Sequence, residues 1–215
     1  MADVEIRPYA EQDRGIAESL FREAGEGAPT DSLWGHPESE AAIYLTPYLE
    51  VEPESAFLAF VDGDPVGYLT GCLDSARFPS EDERLSSAIK KYRLMTRPAT
   101  MRFFGRALTD MAAAKLRGRA MPGEVDDERW PAHLHINLIG RAQGKGVGQA
   151  LMEAWLDRLR TTGSPGCYLQ TLVENPRAVR FFARSGFQPY GPTPRVPGLR
   201  HLGRPVHQQT MVWAP

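Results

Sequence analysis

The 215-residue sequence predicts an α+β/α fold: a mixed, largely antiparallel central sheet of about seven strands, with flanking helices and a helical insertion between the third and fourth strands. Three observations predict it. An alternating apolar run, His133 to Ile139, passes through the turn Gln143-Gly144-Lys145-Gly146-Val147-Gly148 into an amphipathic helix. A second strand-helix pair follows at Cys167 to Ser185 and stops at Gly186. Upstream, Ala56 to Val61 and Pro65 to Leu73 flank the turn Asp62-Gly63-Asp64 and read as a hairpin.

Taken in order, Val4 to Arg7 alternates as a first strand, and Pro8 ends it. Glu11 to Ala24 reads as a helix with Ile16, Ala17, Leu20 and Phe21 inward, broken by Gly25-Glu26-Gly27-Ala28-Pro29. Glu38 to Leu49 reads as a second helix, with Pro47 placed to kink it. After the hairpin, Glu81 to Arg117 is charged and helical, with a break at Arg97-Pro98; it forms an insertion over about residues 80–120. Its basic residues, among them Lys90, Lys91, Arg93, Arg102 and Arg106, read as a solvated helix face. Trp130-Pro131 leads into the fourth strand, and Cys167 to Val173 forms the fifth. Pro176 sits well in the first turn of the next helix, where Asn175 is placed to be the N-cap. Phe187 to Tyr190 begins a sixth strand, Gly191 to His207 reads as a long loop, and Gln208 to Trp213 is the last strand.

Composition bounds the function. Hydrophobic residues are 42% and charged residues 24%, the usual balance for a globular chain, and the length suits one domain over residues 1–215. A net charge of −2 argues against nucleic acid as a partner. No apolar run reaches the roughly 18 residues of a membrane helix. Met1-Ala2-Asp3-Val4-Glu5 carries no secretion signal. Cys72 and Cys167 lie far apart and read as reduced core thiols, which places the chain in the cytoplasm. Neither shows metal-ligand spacing, so no metal is expected. The last strand and the helical insertion are the surfaces on which a homodimer would form.

The glycine turn carries the chemistry. Glycine accepts positive φ and lets a ligand approach the backbone. The first amides of the following helix lack internal partners and sit at the positive end of its dipole. Together they make a site for a phosphate or pyrophosphate. The nucleotide patterns fail on spacing. Gly140 stands too close to the lysine for a Walker loop, which also lacks its Ser or Thr, and a Rossmann fingerprint needs a longer gap before its last glycine.

Gln143-x-x-Gly146-x-Gly148, followed by Leu151-Met152, resembles the acyl-CoA pyrophosphate loop of the GNAT acetyltransferases. Asn175-Pro-Arg-Ala178-Val-Arg-Phe181-Phe182-Ala-Arg-Ser-Gly186-Phe187 resembles the second signature of that family, in the right order and at a fitting separation. Ala56 to Phe78, Trp130 to Asn137 and Arg160 to Gly186 are further similar to the acetyltransferase-like domain of animal protein O-GlcNAcase. The shared marks are Gly67-Tyr68, the insertion after the hairpin and the turn from Gly163 to Gly166. The chain keeps the glycine loop and so looks like a free-standing relative that still holds a CoA thioester.

The resemblance implies acetyl-CoA as cofactor and an amine as acceptor, whether a small molecule or a protein lysine. It implies that Gln143, Gly144, Lys145, Gly146, Val147 and Gly148 hold the pyrophosphate. Leu138 and Ile139 would offer backbone groups to the pantetheine arm, one amide polarising the thioester carbonyl. Asn175 and Phe182 would also touch the cofactor, and the region of Trp34 and His36 would border the acceptor. His133 and His135 are two residues apart on a strand and share a face. Histidine titrates near neutrality and suits removal of the acceptor's proton; the same arrangement resembles aralkylamine N-acetyltransferases. The family's usual acid is a tyrosine at the position of Phe182, which cannot donate; Tyr168 and Tyr190 are nearby in sequence. Two readings stand: an acetyl-CoA-dependent N-acetyltransferase working by direct attack in a ternary complex, and a catalytically impaired CoA-binding pseudo-acetyltransferase acting as an interaction module.

Overall fold

A computed structural model describes residues 2–24, 33–142 and 144–215. Its strands are β1 (Val4–Pro8), β2 (Ala56–Val61), β3 (Asp64–Cys72), β4 (Ala132–Leu138), β5 (Cys167–Leu172), β6 (Gln188–Tyr190), β7 (Arg195–His201) and β8 (Arg204–Trp213). Its helices are α1 (Arg14–Ala24), α2 (Pro37–Tyr44), α3 (Thr46–Val51), α4 (Glu81–Tyr92), α5 (Pro98–Leu116), α6 (Val147–Thr162) and α7 (Pro176–Arg184). The sheet runs β1-β2-β3-β4-β5-β8-β6, with β7 paired to β8, so eight strands stand where about seven are expected. All pairs are antiparallel except β4 with β5.

That one parallel pair positions everything else. β4 and β5 are in register only at Ala132↔Cys167 and His133↔Tyr168. Beyond those rungs β4 stays on β3 as far as Gly67↔Leu138, while β5 stays on β8 as far as Leu172↔Gln208. Each strand is held by its antiparallel neighbour, so the sheet opens into a cleft at its middle.

Helix α6 supplies the core on one face. Val147, Leu151, Met152, Trp155 and Leu159 are fully buried, as their spacing predicts. The Trp155 ring lies so close over β3 that a Cβ at Gly71 would stand 2.2 Å from it. A separate, smaller cluster under the insertion joins Trp34, Ile43, Ala88, Leu94 and Phe104. Helix α4 starts with a reciprocal capping box between Ser80 and Glu83, and the chain reverses into α5 through Arg93 at φ 54°.

Two expectations are corrected. The helix over residues 38–49 is broken at Leu45 (φ −131°, ψ −63°), and Pro47 opens α3. Proline has no amide to offer the carbonyl four residues back, and its ring crowds that carbonyl. The Ile43 carbonyl released in this way accepts from Arg84 Nη1 at 2.6 Å. The second correction concerns residues 191–207, which are not a continuous loop: β7 and the start of β8 lie within them. They form a two-residue hairpin turn with positive φ at both Leu202 (49°) and Gly203 (77°). Proline and glycine mask the strand signal there, and helix α5 holds it in place. Gly198 (φ 78°) comes so close to α5 that an added Cβ would lie 2.9 Å from the Ala107 Cβ. Its carbonyl accepts from Arg106 and its amide donates to Asp110, at 2.7 and 2.9 Å. The break Gly25 to Pro29 lies outside the described residues.

Gly198→Ala combines a strained positive φ with this overlap. It should lower stability by about 1–3 kcal/mol in chemical denaturation. An unchanged midpoint would mean that the hairpin is not seated on α5.

Candidate active site

The glycine turn runs over the open end of the cleft. Gly144 and Gly146 take positive φ, 75° and 77°, and Gly146 serves as the N-cap of α6. No side chain bonds to this cap, and the helix's first amides have no partners within the helix. Gly148 lies against the cleft wall: a Cβ there would sit 3.2 Å from Leu138 Cδ1 and 3.3 Å from Phe181 Cε2. Lys145 is exposed, Val147 is buried, and Gln143 lies outside the described residues.

Strand alternation decides which backbone groups face the cleft. Ile139 donates its amide to Val66 at 3.0 Å and accepts from Ala142 at 3.0 Å. It is therefore committed to β3 and to the turn, which corrects the expectation that it offers groups to a ligand. Residues of opposite parity, Ile136 and Leu138, turn their amides toward β5, from which β4 has parted. Phe182 is buried in the main core beside Phe187, and Phe181 is the ring that meets Gly148. Asn175 caps α7, its Oδ1 accepting from Ala178 at 3.1 Å, which leaves its amide nitrogen for other contacts. Arg177 and Arg180 are exposed. Trp34 is a packing residue bonded to Ser39, and His36 caps α2, so neither lines the cleft as an acceptor group.

His133 and His135 do share a face, and they share a partner. The Tyr48 hydroxyl lies 2.8 Å from His133 Nε2 and 2.9 Å from His135 Nε2. Arg84 Nη1 donates to the same oxygen at 3.2 Å. The proton positions follow by elimination. Ser75 Oγ donates its one proton to the Pro131 carbonyl, an acceptor only, at 2.7 Å. His133 Nδ1, 2.6 Å from the same oxygen, must then be the donor. A neutral His133 therefore accepts the Tyr48 proton at Nε2. Tyr48 has one proton, so His135 Nε2 must donate to it. A neutral His135 is left with an unprotonated Nδ1, and nothing among the described residues bonds to that nitrogen.

Electrostatics keeps both rings neutral. Burial, then His135 and Arg84, hold His133 well below the ordinary histidine range. Burial, then the Arg84 cation, lower His135 to about 4. Arg84 itself is buried, pairs with Glu124 at 3.3 Å, and lies 5.4 and 5.3 Å from the centres of the Tyr48 and Phe78 rings. Next to His135 on β3, Thr70 is buried with its hydroxyl unpartnered among the described residues. Asn137 donates to the Tyr68 hydroxyl at 2.8 Å. Tyr168 packs 5.5 Å from His133, and burial pushes its hydroxyl up to about 12. Tyr190 instead packs on Trp130 at the far edge. Sequence reasoning missed Tyr48, Ser75, Arg84 and Thr70. Tyr48 stands 85 residues from His133 in the chain, and no local pattern links them.

This geometry meets the comparisons with known proteins at residues 16–187, which match the model of the acetyltransferase (GNAT) family. The chain belongs to the GNAT family. Its members take their acetyl group from acetyl-CoA, and this chain is a GNAT-type N-acetyltransferase. It is similar to SsHAT, with 27% identity over 97% of both chains and a TM-score of 0.66. It also shares its fold with the acetyltransferase yncA from Salmonella typhimurium, solved with acetyl-CoA (14% identity, 98% and 93% coverage, TM-score 0.59). A ribosomal-protein-alanine N-acetyltransferase from Brucella melitensis has the same fold (16% identity, 98% and 99% coverage, TM-score 0.59). In this GNAT enzyme the split between β4 and β5 and the glycine turn stand side by side, with Gly148 packed against Leu138 and Phe181. No helix among the described residues is long and apolar enough to cross a membrane.

Tyr48→Phe removes the only hydroxyl shared by the two histidines and Arg84. It should destabilise the protein by about 1–3 kcal/mol, read by urea titration; an unchanged midpoint would contradict the network. The histidines also set a pH dependence. An unfolded histidine titrates near 6.5, so between about pH 4 and 6.5 the unfolded chain binds a proton that folded His135 refuses. Stability should therefore rise with pH across that window and fall on acidification. His135→Asn should flatten part of the slope, and a wild-type profile already flat there would overturn the assignment.

Proposed function

We propose that the chain transfers an acetyl group from acetyl-CoA to a primary amine by direct attack in a ternary complex, with His135 Nδ1 as the proton acceptor. The observation that carries this reading is the tautomer chain from Ser75 through His133 and Tyr48. It leaves a neutral imidazole edge open on a half-buried residue beside the cleft.

Acetyl-CoA supplies the activated acetyl group when bound. Gly144, Gly146, Val147 and Gly148 present backbone amides and Lys145 its ammonium to the pyrophosphate, with Gln143 completing the motif. Leu138 presents its amide to the open cleft and donates to the thioester carbonyl oxygen as negative charge develops there. Asn175, through its free amide nitrogen, and Phe181 close the wall on the α7 side. The amine nitrogen attacks the carbonyl carbon. His135 Nδ1 takes the nitrogen's proton as the C–N bond forms. The C–S bond breaks as the carbonyl re-forms, and CoA leaves as the thiolate without a tyrosine acid. Arg84 opposes positive charge on the imidazole pair. The protonated His135 ring is accordingly disfavoured by burial and by Arg84 and returns its proton to solvent.

The helical insertion between β3 and β4 and the Gly163-to-Gly166 turn further support reading the chain as a relative of the O-GlcNAcase acetyltransferase-like domain. Gly163 ends α6 at φ 70°, and a Cβ at Gly166 would stand 2.5 Å from the Trp213 carbonyl. The two free, buried thiols, Cys72 and Cys167, support a cytoplasmic location.

Calorimetric titration with acetyl-CoA tests the cofactor site. Wild type should bind, and Gly146→Asp, which places an anion at the turn, should lose at least about tenfold in affinity. Turnover on a panel of amines then tests the base. His135→Ala should lower kcat by about 100-fold or more while acetyl-CoA binding persists. Undiminished turnover in that variant would remove His135 from the mechanism.

A further inference from the structure

A second cavity lies away from the β4/β5 cleft, between the C-terminal half of α5 and the terminal hairpin. It is a partly open hollow of about 360 Å³, and none of its lining residues belongs to β4, β5 or the glycine turn. Two kinds of residue line it. Pro192, Pro194, Pro197 and Pro205 form a stiff wall with no amide protons. Ala113 and Ala114 on the facing helix leave the space open.

The lining is also cationic. Arg117, Arg119 and Arg195 all border the cavity, and Asp110 is its one carboxylate. That carboxylate is already committed: it accepts the Gly198 amide at 2.9 Å and pairs with Arg200 at 2.8 Å. Burial would raise Asp110, but the Gly198 amide, Arg200 and Arg195 together hold it below the ordinary carboxylate range. The other titratable groups facing this region are His207, which is bound to Glu174 at 2.9 Å, and Arg106, whose Nε donates to the Gly198 carbonyl. Arg195 reaches Asp110 only at 3.9 Å through Nη2. Its Nε is buried and unpartnered among the described residues. That nitrogen has no accessible surface, so a ligand would meet the guanidinium at its Nη end, where the two terminal nitrogens match two oxygens of one acid group.

We propose that this cavity binds a small molecule with a compact apolar body and a carboxylate or phosphate head, the head accepting from Arg195 and the body lying between the prolines and the alanines. The site is independent of the acetyl-CoA cleft. It lies on the insertion and the terminal hairpin, beside the end of β5. There the Val173 amide donates to the His207 carbonyl and Glu174 holds the His207 backbone and ring.

The test is a calorimetric titration of the full chain with benzoate and with phenyl phosphate, using benzamide as the uncharged counterpart. At least one anion should bind saturably at millimolar concentration or below, and benzamide should not. Binding of benzoate alone would assign a carboxylate ligand, and binding of phenyl phosphate alone a phosphate. Arg195→Met, which keeps the stem and removes the charge, should weaken binding by about tenfold or more. Ala114→Phe, which fills the cavity and keeps every charge, should do the same and decides the matter if Arg195→Met fails to fold. Gly146→Asp should leave anion binding unchanged. A water-filled cavity only, seen as no saturable anion binding, overturns the proposal. So do equal binding of benzamide, undiminished binding in Ala114→Phe, and loss of binding in Gly146→Asp.

Discussion

The Tyr48 hydroxyl is the contact on which the functional half of this molecule depends. One oxygen meets Arg84 from α4 and His133 and His135 from β4, at distances between 2.8 and 3.2 Å. It has one proton to give and two lone pairs to fill, so every partner's role is dictated. Three elements far apart in sequence are therefore locked in one arrangement. The insertion that supplies Arg84 is thereby part of the site rather than an appendage. Its placement begins with Pro47, which breaks the α2–α3 run and frees the Ile43 carbonyl for the same guanidinium. A buried cation with one carboxylate, two carbonyls and one hydroxyl as partners is well satisfied, and it makes the histidines beside it poor hosts for a second positive charge.

The second constraint is the short parallel register between β4 and β5. A sheet that parts after two rungs leaves β4 amides without strand partners, normally a defect. Under the proposed reading, the pantetheine arm of acetyl-CoA completes the pairing. The glycine turn at the mouth of the cleft provides donors of the same kind. Binding at both places draws on backbone groups, which tolerate wide variation in side chains. This agrees with the low identity, 14–16%, between this chain and acetyltransferases that share its fold.

The terminal hairpin and α5 form a third unit with its own logic. Gly198, Asp110, Arg106 and Arg200 bind the two elements through backbone and charge rather than through a large apolar contact. Such a joint holds its shape while leaving a cavity beside it, and the prolines keep that cavity from collapsing.

Much of this was legible in the chain itself. The hairpin, the glycine turn, the α6 core face and the Asn175 cap all follow from patterns within a few residues, because alternation, helical spacing, positive φ and capping are local properties. The shared face of His133 and His135 was legible for the same reason. Other features needed the tertiary structure. Residues 195–201 hide a strand among prolines and glycines, and only packing against α5 makes it one. Phe181, not Phe182, meets the glycine turn because the angle at which α7 docks chooses between adjacent rings. Ile139 is spent on Val66 because of strand parity, which the pairing of β3 with β4 sets. Above all, no local rule could bring Tyr48 to two histidines 85 and 87 residues away. The sequence by itself determined the elements, the glycine turn and the family. The folded chain decided which hydroxyl, cation and amide come together beside the cleft, because contacts across such distances are selected by packing and loop closure and not by neighbouring residues.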